Sequence, residues 1–133
     1  MYIDPRYQFD AAASPADIAL FNGAAVGFAD QVAEALAQGA NVNVADIRYK
    51  STPLHMVAAY NAIAALRVLI KHPDLDYTAL DYRNRPPATL AYEVGENPLV
   101  GRFLIKKERL QHQARGTQMV HPSMFLPAPR ANM

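Results

Sequence analysis

The stretch that determines the fold reads Ser51-Thr52-Pro53-Leu54-His55-Met56-Val57-Ala58-Ala59. Thr52 suits the N-cap position, because its hydroxyl can accept a hydrogen bond from a free backbone N–H of the first helical turn. Pro53 follows at the first helical position, where the N–H that it lacks would have had no partner. The stretch therefore predicts a helix that begins at Pro53.

A shift of 34 residues aligns this stretch with residues 17–21 on one side and with residues 85–91 on the other. Three further sets of residues keep the same spacing: Gly27, Asn61 and Gly95; Val32, Leu66 and Val100; Leu36, Ile70 and Leu104. The first set tolerates a left-handed turn between two helices. A fixed period of this length is typical of repeat proteins. It predicts three units, each with a helix, a tight turn, a second helix and an extended loop that ends near Asp46 or Asp81.

The chain resembles the ankyrin repeat family, and two motifs carry the resemblance: Thr52-Pro53-Leu54-His55 and Gly39-Ala40-Asn41-Val42-Asn43. The resemblance covers residues 17–107. The first repeat lacks the Thr-Pro-Leu-His motif, and the third has Pro86-Pro87-Ala88-Thr89 in its place. The resemblance implies an all-α fold, an ankyrin-repeat α-solenoid of three helix-turn-helix repeats with a longer C-terminal helix and flanking tails.

The organisation predicted from this register has three parts: an N-terminal extension over residues 1–16, repeats over residues 17–46, 47–81 and 82–115, and a C-terminal tail over residues 116–133. The last helix is expected to begin with Asn97 as N-cap and Pro98 at the first position, and to stop at Gly116. Two sets of residues are expected to form the core. The first helices contribute Leu20, Ala24, Leu54, Val57, Ala58, Ala88 and Ala91. The second helices contribute Val32, Leu36, Leu66, Leu69, Ile70, Val100, Phe103 and Leu104.

Composition excludes several classes of protein. The chain has 133 residues, which is enough for one domain, and no cysteine, so it has no disulfides and no thiolate chemistry. Its formal net charge of +1 is far below that of a typical nucleic-acid binder. It begins without a secretory signal and has no apolar run long enough to cross a bilayer. These features predict a cytoplasmic protein that does not bind membranes, and we do not expect it to bind nucleic acid.

No catalytic or metal-binding constellation is evident, and we expect neither enzymatic activity nor a cofactor. The resemblance makes His55 the motif histidine, which forms hydrogen bonds within and between repeat loops. Glu108 and His112 are spaced as two metal ligands would be, but no third ligand is in register. Asp74 and Asp76 align with Asn41 and Asn43 in the repeat, so they are expected to shape a loop rather than to act as acid and base.

The resemblance implies that a partner protein contacts the loop tips and the concave face of the first helices. The corresponding positions are Arg48, Tyr49, Ser51, Tyr60, Tyr82, Arg83, Arg85, Glu93 and Val94, with Ala25, Val26 and Ala59 beside them. Tyrosine and arginine are enriched in the hot spots of protein interfaces. We therefore predict a protein-binding surface here, with an ordinary solvated surface as the alternative. The last helix also carries five basic residues, which are expected on its solvent side: Arg102, Lys106, Lys107, Arg109 and Arg115. We expect them to form a solvated surface, and the alternatives are a binding site for an acidic protein or for nucleic acid.

The tails carry apolar residues, which at the C-terminal end are Met119, Val120, Met124, Phe125 and Leu126. Three interpretations stay open for this set: a disordered end, a strap folded over a repeat, or a motif that a partner buries. The same three apply to Tyr2, Ile3, Tyr7 and Phe9.

The sequence therefore predicts a non-catalytic protein-protein interaction module, monomeric alone or part of a hetero-complex. Small stand-alone ankyrin proteins of the bacterial type are similar in form, and some of these are immunity or inhibitor proteins that neutralise a toxin. The alternative is an adaptor or accessory subunit that clamps its neighbours with hydrophobic tails.

Overall fold

The computed structural model of the protein describes residues 4–119. These residues form six α-helices: α1 (Pro15–Val26), α2 (Ala29–Ala37), α3 (Pro53–Ala59), α4 (Ile63–Leu69), α5 (Pro87–Glu93) and α6 (Pro98–Arg115). Between residues 4 and 119 the chain has no β-strand. The prediction of an all-α fold is confirmed.

The helices form three pairs in chain order, because α2 packs on α1, α4 on α3, and α6 on α5. Helix α3 also lies between α1 and α5, so the first helices of the three pairs make one continuous layer. Helix α2 contacts α4 in the layer behind. The core lies between the two layers, and long loops leave it after α2 and after α4. The exact repeat boundaries at residues 17–46, 47–81 and 82–115 stay a prediction.

The predicted helix starts are confirmed at two positions. The Thr52 hydroxyl accepts a hydrogen bond from the backbone N–H of His55 at 3.3 Å, and Pro53 is the first residue of α3. Asn97 caps α6 by accepting the N–H of Val100 at 3.2 Å. Helix α1 begins two residues before the predicted start of the first repeat, because Ser14 and Asp17 form a reciprocal capping box ahead of Pro15.

The first-helix core is as the 34-residue register predicts. All seven of its residues are buried: Leu20, Ala24, Leu54, Val57, Ala58, Ala88 and Ala91. In the second helices the prediction is met fully by Val32, Leu66, Leu69 and Leu104, which are buried. The other four residues of that set, Leu36, Ile70, Val100 and Phe103, are partly buried and pack against the core. The first layer combines large residues such as Leu20 and Leu54 with small ones such as Ala24 and Ala58, and this mixture allows the pairs to stack closely.

One of the three predicted left-handed turns is displaced by a residue. Gly27 and Asn61 have φ angles of 80° and 53°, as expected, but in the third unit Glu96 takes the positive φ (53°) instead of Gly95. The α5–α6 connection is one residue longer than the α3–α4 connection, and this moves the turn. Gly95 has a different role: a Cβ atom there would collide with the backbone carbonyl oxygen of Ala58, so glycine allows α5 to approach α3.

Helix α6 buries Leu104, as predicted, together with three residues that the prediction did not include. Leu99 and Leu110 are 71% and 50% exposed, whereas Gly101, Leu104, Ile105 and Glu108 are buried. The last turns of α6 instead secure the preceding loop. The Gln111 side chain accepts the N–H of Tyr77 and donates to the carbonyl of Leu75, both at 2.7 Å.

The N-terminal segment, defined as residues 4–14, is held against α1. The rings of Tyr7 and Phe9 contact the buried Phe21 edge-on, with centroid distances of 4.9 and 5.1 Å. The backbone N–H of Asp4 donates to the buried Asn22 side chain at 2.7 Å. Of the three interpretations of the tails, Tyr7 and Phe9 therefore fit the one in which the tail folds back over a repeat. Tyr2 and Ile3 lie outside the described residues.

The Phe9→Ala variant is expected to lose about 1–2 kcal/mol of unfolding free energy, since it removes a partly buried ring and its edge-on contact. Urea denaturation measures this loss. The Leu110→Ala variant, which truncates an exposed residue on α6, is the control and should change stability by less than about 0.5 kcal/mol. Equal stability of the two variants would mean that the segment does not hold the first repeat.

Candidate protein-binding surface

Two loop fingers project from the helical layers, the first finger over residues 46–51 and the second over residues 81–85. In each, a buried aspartate organises the backbone. The Asp46 carboxylate accepts the N–H groups of Tyr49 and Ser51 at 3.2 and 3.1 Å. The Asp81 carboxylate accepts those of Arg83 and Arg85, both at 2.9 Å. Both aspartates are nearly inaccessible to solvent, and burial raises the pKa of the Asp46 carboxyl.

Positive φ angles complete the fingers. Lys50 has a φ of 55° and Asn84 one of 58°, and each lies just before the end of its finger. Asparagine tolerates this conformation better than most residues, whereas lysine is strained in it. Hydrogen bonds hold Lys50 in this conformation. The N–H groups of Tyr49 and Ser51 donate to the Asp46 carboxylate, and the N–H of Lys50 donates to the Asp46 carbonyl. The fingers are therefore preformed supports rather than adaptable loops.

Backbone hydrogen bonds connect the fingers in sequence. The N–H of Ile47 donates to the carbonyl of Gln8 at 2.7 Å, and the N–H of Tyr82 donates to the carbonyl of Tyr49 at 2.9 Å. The N-terminal segment, the first finger and the second finger are thus joined side by side in that order.

His55 connects α3 to the second finger. Its Nδ1 lies 2.8 Å from the Thr52 hydroxyl, and its Nε2 lies 2.8 Å from the carbonyl oxygen of Arg85. Burial lowers the pKa of the imidazole, which favours the neutral ring. A neutral ring with its proton on Nε2 donates to the Arg85 carbonyl and accepts at Nδ1. The predicted structural role of His55 is thus consistent with its contacts.

Four predicted partner-binding residues form one continuous array, which we call the Arg–Tyr ladder: Arg48, Tyr49, Tyr82 and Arg83. The two tyrosine rings meet edge-on at 5.6 Å with an interplanar angle of 65°. The Arg48 guanidinium lies 5.4 Å from the Tyr49 ring centroid, and that of Arg83 lies 5.9 Å from the Tyr82 centroid. Arg48, Tyr82 and Arg83 are exposed, and Tyr49 is half-buried.

The remaining predicted residues fall into two groups. Ser51 and Arg85 are half-buried at the bases of the fingers, and the Arg85 side chain is ion-paired with Asp81 at 3.0 Å. Tyr60, Glu93 and Val94 are exposed at the C-terminal ends of α3 and α5, in the row that begins with Val26 at the end of α1. The residues of the ladder therefore lie together on one surface. Arg85 instead pairs with Asp81 and helps to fix the shape of the second finger.

Two residues near this surface were not anticipated. Ile47, at the start of the first finger, is 57% exposed beside the ladder. The side chain of Tyr7 lies near that of Tyr60, and burial raises the pKa of Tyr7. Ile47 directly follows Asp46 as Tyr82 directly follows Asp81, and this shared position could have indicated that Ile47 belongs to the surface. Tyr7 had no such signal, because no repeat position corresponds to it.

Of the C-terminal tail residues, Met119 packs partly buried against the core. Val120, Met124, Phe125 and Leu126 lie outside the described residues. The interpretation of these four as a partner-binding motif stays a prediction.

The sequence analysis weighed two pairs of residues for metal or acid-base chemistry, Glu108 with His112 and Asp74 with Asp76. The Glu108 carboxylate lies 3.9 Å from His112 Nε2, and the described part of the chain contains no group of three potential ligands. The Asp76 carboxylate accepts the N–H and hydroxyl of Thr78, so it shapes a loop as expected. None of the helices described between residues 4 and 119 is long and apolar enough to cross a membrane.

Comparison with known proteins gives a distant relative. The I-kappa-B like protein G2 of Microplitis demolitor bracovirus (isolate Webb) is 28% identical to this chain over 88 residues. The match covers 66% of this chain but 48% of the viral protein, so the chain spans about half the length of this relative. No family model matches the chain. Because I-kappa-B like proteins are ankyrin-repeat proteins, the relative supports the resemblance to that family at low identity.

Proposed function

We propose that this chain is an ankyrin-repeat protein that binds another protein, without catalysis, through the Arg–Tyr ladder. The observation that carries the proposal is the ladder itself, two arginines stacked on two tyrosines that contact each other across adjacent fingers. Tyrosine and arginine dominate interface hot spots because they combine large contact area with hydrogen bonding. The relative among I-kappa-B like proteins favours the same class of function.

The rigidity of the fingers supports this role. A side chain that is ordered before binding loses less conformational freedom when a partner arrives. Here Asp46 and Asp81 fix the backbone on both sides of the ladder, and the stacking contacts hold the arginines. Tyr60, Glu93 and Val94 extend the proposed surface along the ends of the first helices.

Within this role, we place inhibition by occupancy first, as in an immunity protein that neutralises a toxin in the cytoplasm. The adaptor alternative relies on hydrophobic tails as clamps. At the N-terminal end, Tyr7 and Phe9 are already engaged with Phe21 of the same chain, so they are not offered to a neighbour. This favours the inhibitor over the adaptor as the finer proposal.

Affinity capture from the cells that produce the protein tests the proposal. The full-length tagged protein is compared with the Arg48→Ala/Arg83→Ala double variant, which cuts both arginines of the ladder. The matched control is Arg102→Ala/Lys106→Ala, which removes two exposed positive charges from α6.

A protein enriched by the wild type should be retained by the control and reduced at least about tenfold with the ladder variant, since one hot-spot residue contributes about 2 kcal/mol. A protein captured equally by all three baits would contradict the ladder as the binding surface. Loss with the control variant alone would move the interface to α6.

A further inference from the structure

We propose, on the basis of the proposed function, that the ladder recognises an acidic, extended segment of its partner, with one carboxylate received at Arg48 and another at Arg83. Three features of the fingers support this recognition: their charge balance, the arrangement of the two arginines and the distance between them.

The exposed charge on the fingers has one sign. Residues 47–51 and 82–85 contain Arg48, Lys50, Arg83 and Arg85 but no acidic residue. The aspartates that precede them, Asp46 and Asp81, are turned inward and accept backbone N–H groups. Among the described residues Arg85 is ion-paired, whereas Arg48, Lys50 and Arg83 are in no ion pair. Three exposed cations thus lie outside the ion pairs formed within residues 4–119.

The stacking arrangement prepares both guanidinium groups for carboxylates. A guanidinium over an aromatic face is attracted by the ring quadrupole and has less rotational freedom than one in water. Its N–H groups point outward in the guanidinium plane, where a carboxylate can accept two parallel hydrogen bonds. Lysine could not offer this fork, so arginine at both ends of the ladder fits carboxylate recognition.

The separation of the two arginines suits a short extended peptide. The three ring contacts, at 5.4, 5.6 and 5.9 Å, join Arg48 to Arg83. Taken end to end they limit the distance between the guanidinium carbons to about 17 Å, which is about five residues of extended chain. Between the arginines a partner would meet the exposed face of Tyr82, which suits an apolar residue.

Nucleic acid is the competing polyanion, and charge distribution disfavours it. Residues 1–47 carry six acidic residues and one basic residue, so the cations of the fingers do not continue into a basic run on the N-terminal side of the sequence. The five basic residues on α6 belong to a different helix, away from the fingers in the sequence. Binding to a phosphate backbone draws on many cations distributed along the strand, whereas the ladder offers a compact pair.

The test is a titration of the ¹⁵N-labelled full-length protein with three probes. The first is a 12-residue peptide with two Glu-Asp pairs separated by Ala-Leu-Ala. The second is its Gln-Asn isostere, and the third is a 12-nucleotide oligothymidylate. The amide signals of residues 47–51 and 82–85 report binding at the ladder.

The acidic peptide should shift these signals and bind at least about tenfold more tightly than its neutral isostere. The Arg48→Ala/Arg83→Ala variant should lose this preference, and the Arg102→Ala/Lys106→Ala control should keep it. Equal binding of the acidic and neutral peptides would overturn the acidic preference while leaving the ladder a protein-binding site. Tighter binding of oligothymidylate at the ladder would overturn it in favour of nucleic acid.

A titration in which no probe shifts the ladder signals would overturn the inference. It would not affect the proposed function, which the capture experiment judges separately through a natural partner.

Discussion

Replacing Leu54 with alanine is expected to lower the free energy of unfolding by about 2–5 kcal/mol, the range found for buried leucines. Leu54 is completely buried on α3, the helix that packs against both α1 and α5. The cavity would therefore weaken two interfaces between neighbouring helix pairs. Urea denaturation followed by circular dichroism measures the loss. In a domain of this size it could remove much of the total stability, which is typically 5–15 kcal/mol.

The same substitution at Leu99 is the matched control. Leu99 lies on α6 with 71% of its surface exposed, so its truncation should change stability by less than about 0.5 kcal/mol. Similar losses in Leu54→Ala and Leu99→Ala would contradict the stacking of α3 between its neighbours. A loss confined to Leu54→Ala is the expected result.

The Glu108→Gln variant is expected to stabilise the protein at pH 8 by about 3 kcal/mol. Glu108 is fully buried on α6, and neither of its carboxylate oxygens has a hydrogen-bond partner. Burial raises the pKa of its carboxyl to about 7, and Arg109 opposes this shift. The charged form is therefore costly in the folded state, and a neutral side chain of the same shape removes that cost.

The effect should depend on pH with a definite sign. Below pH 4.5 the folded and unfolded states both hold the proton at residue 108, so charge contributes nothing. Between pH 4.5 and about 7 the unfolded state releases the proton and the folded state keeps it, so the wild type loses stability as pH rises. The advantage of Glu108→Gln should thus grow from pH 5.5 to pH 8.

Thermal unfolding of wild type and variant at these two pH values tests this dependence. The same substitution at the exposed Glu34 on α2 is the control, and it should change stability by less than about 0.5 kcal/mol at either pH. A constant difference between wild type and Glu108→Gln across this range would show that the Glu108 carboxyl does not titrate differently on folding.

The first-helix core was predictable because the repeat constrains it three times. Leu20 and Leu54 occupy the same place in successive units, so each supports the assignment of the other. Helix α6 has no such support beyond residue 107, and its apolar residues allow more than one buried face. The predicted core of α6 ended at Leu104, whereas the structure also buries Ile105 and Glu108.

The binding surface was predictable in outline and not in detail. The family resemblance located the loop tips, but it could not show that Arg85 turns back to Asp81 while Arg83 turns outward. Nor could it place Tyr7 near Tyr60, because the two residues belong to a segment before the repeats and to one within them. Such contacts between distant parts of the chain depend on tertiary packing, which local patterns do not encode.

The most direct measurement of the central claim is calorimetric titration of a purified captured partner into wild type, Arg48→Ala/Arg83→Ala and Arg102→Ala/Lys106→Ala. If the ladder is the interface, its double variant should bind about 100-fold more weakly, consistent with the loss of two hot-spot side chains. The melting temperature of that variant should stay close to that of the wild type, since both arginines are exposed. The α6 variant should bind within about fivefold of the wild type. Wild-type affinity in the ladder variant would contradict the claim.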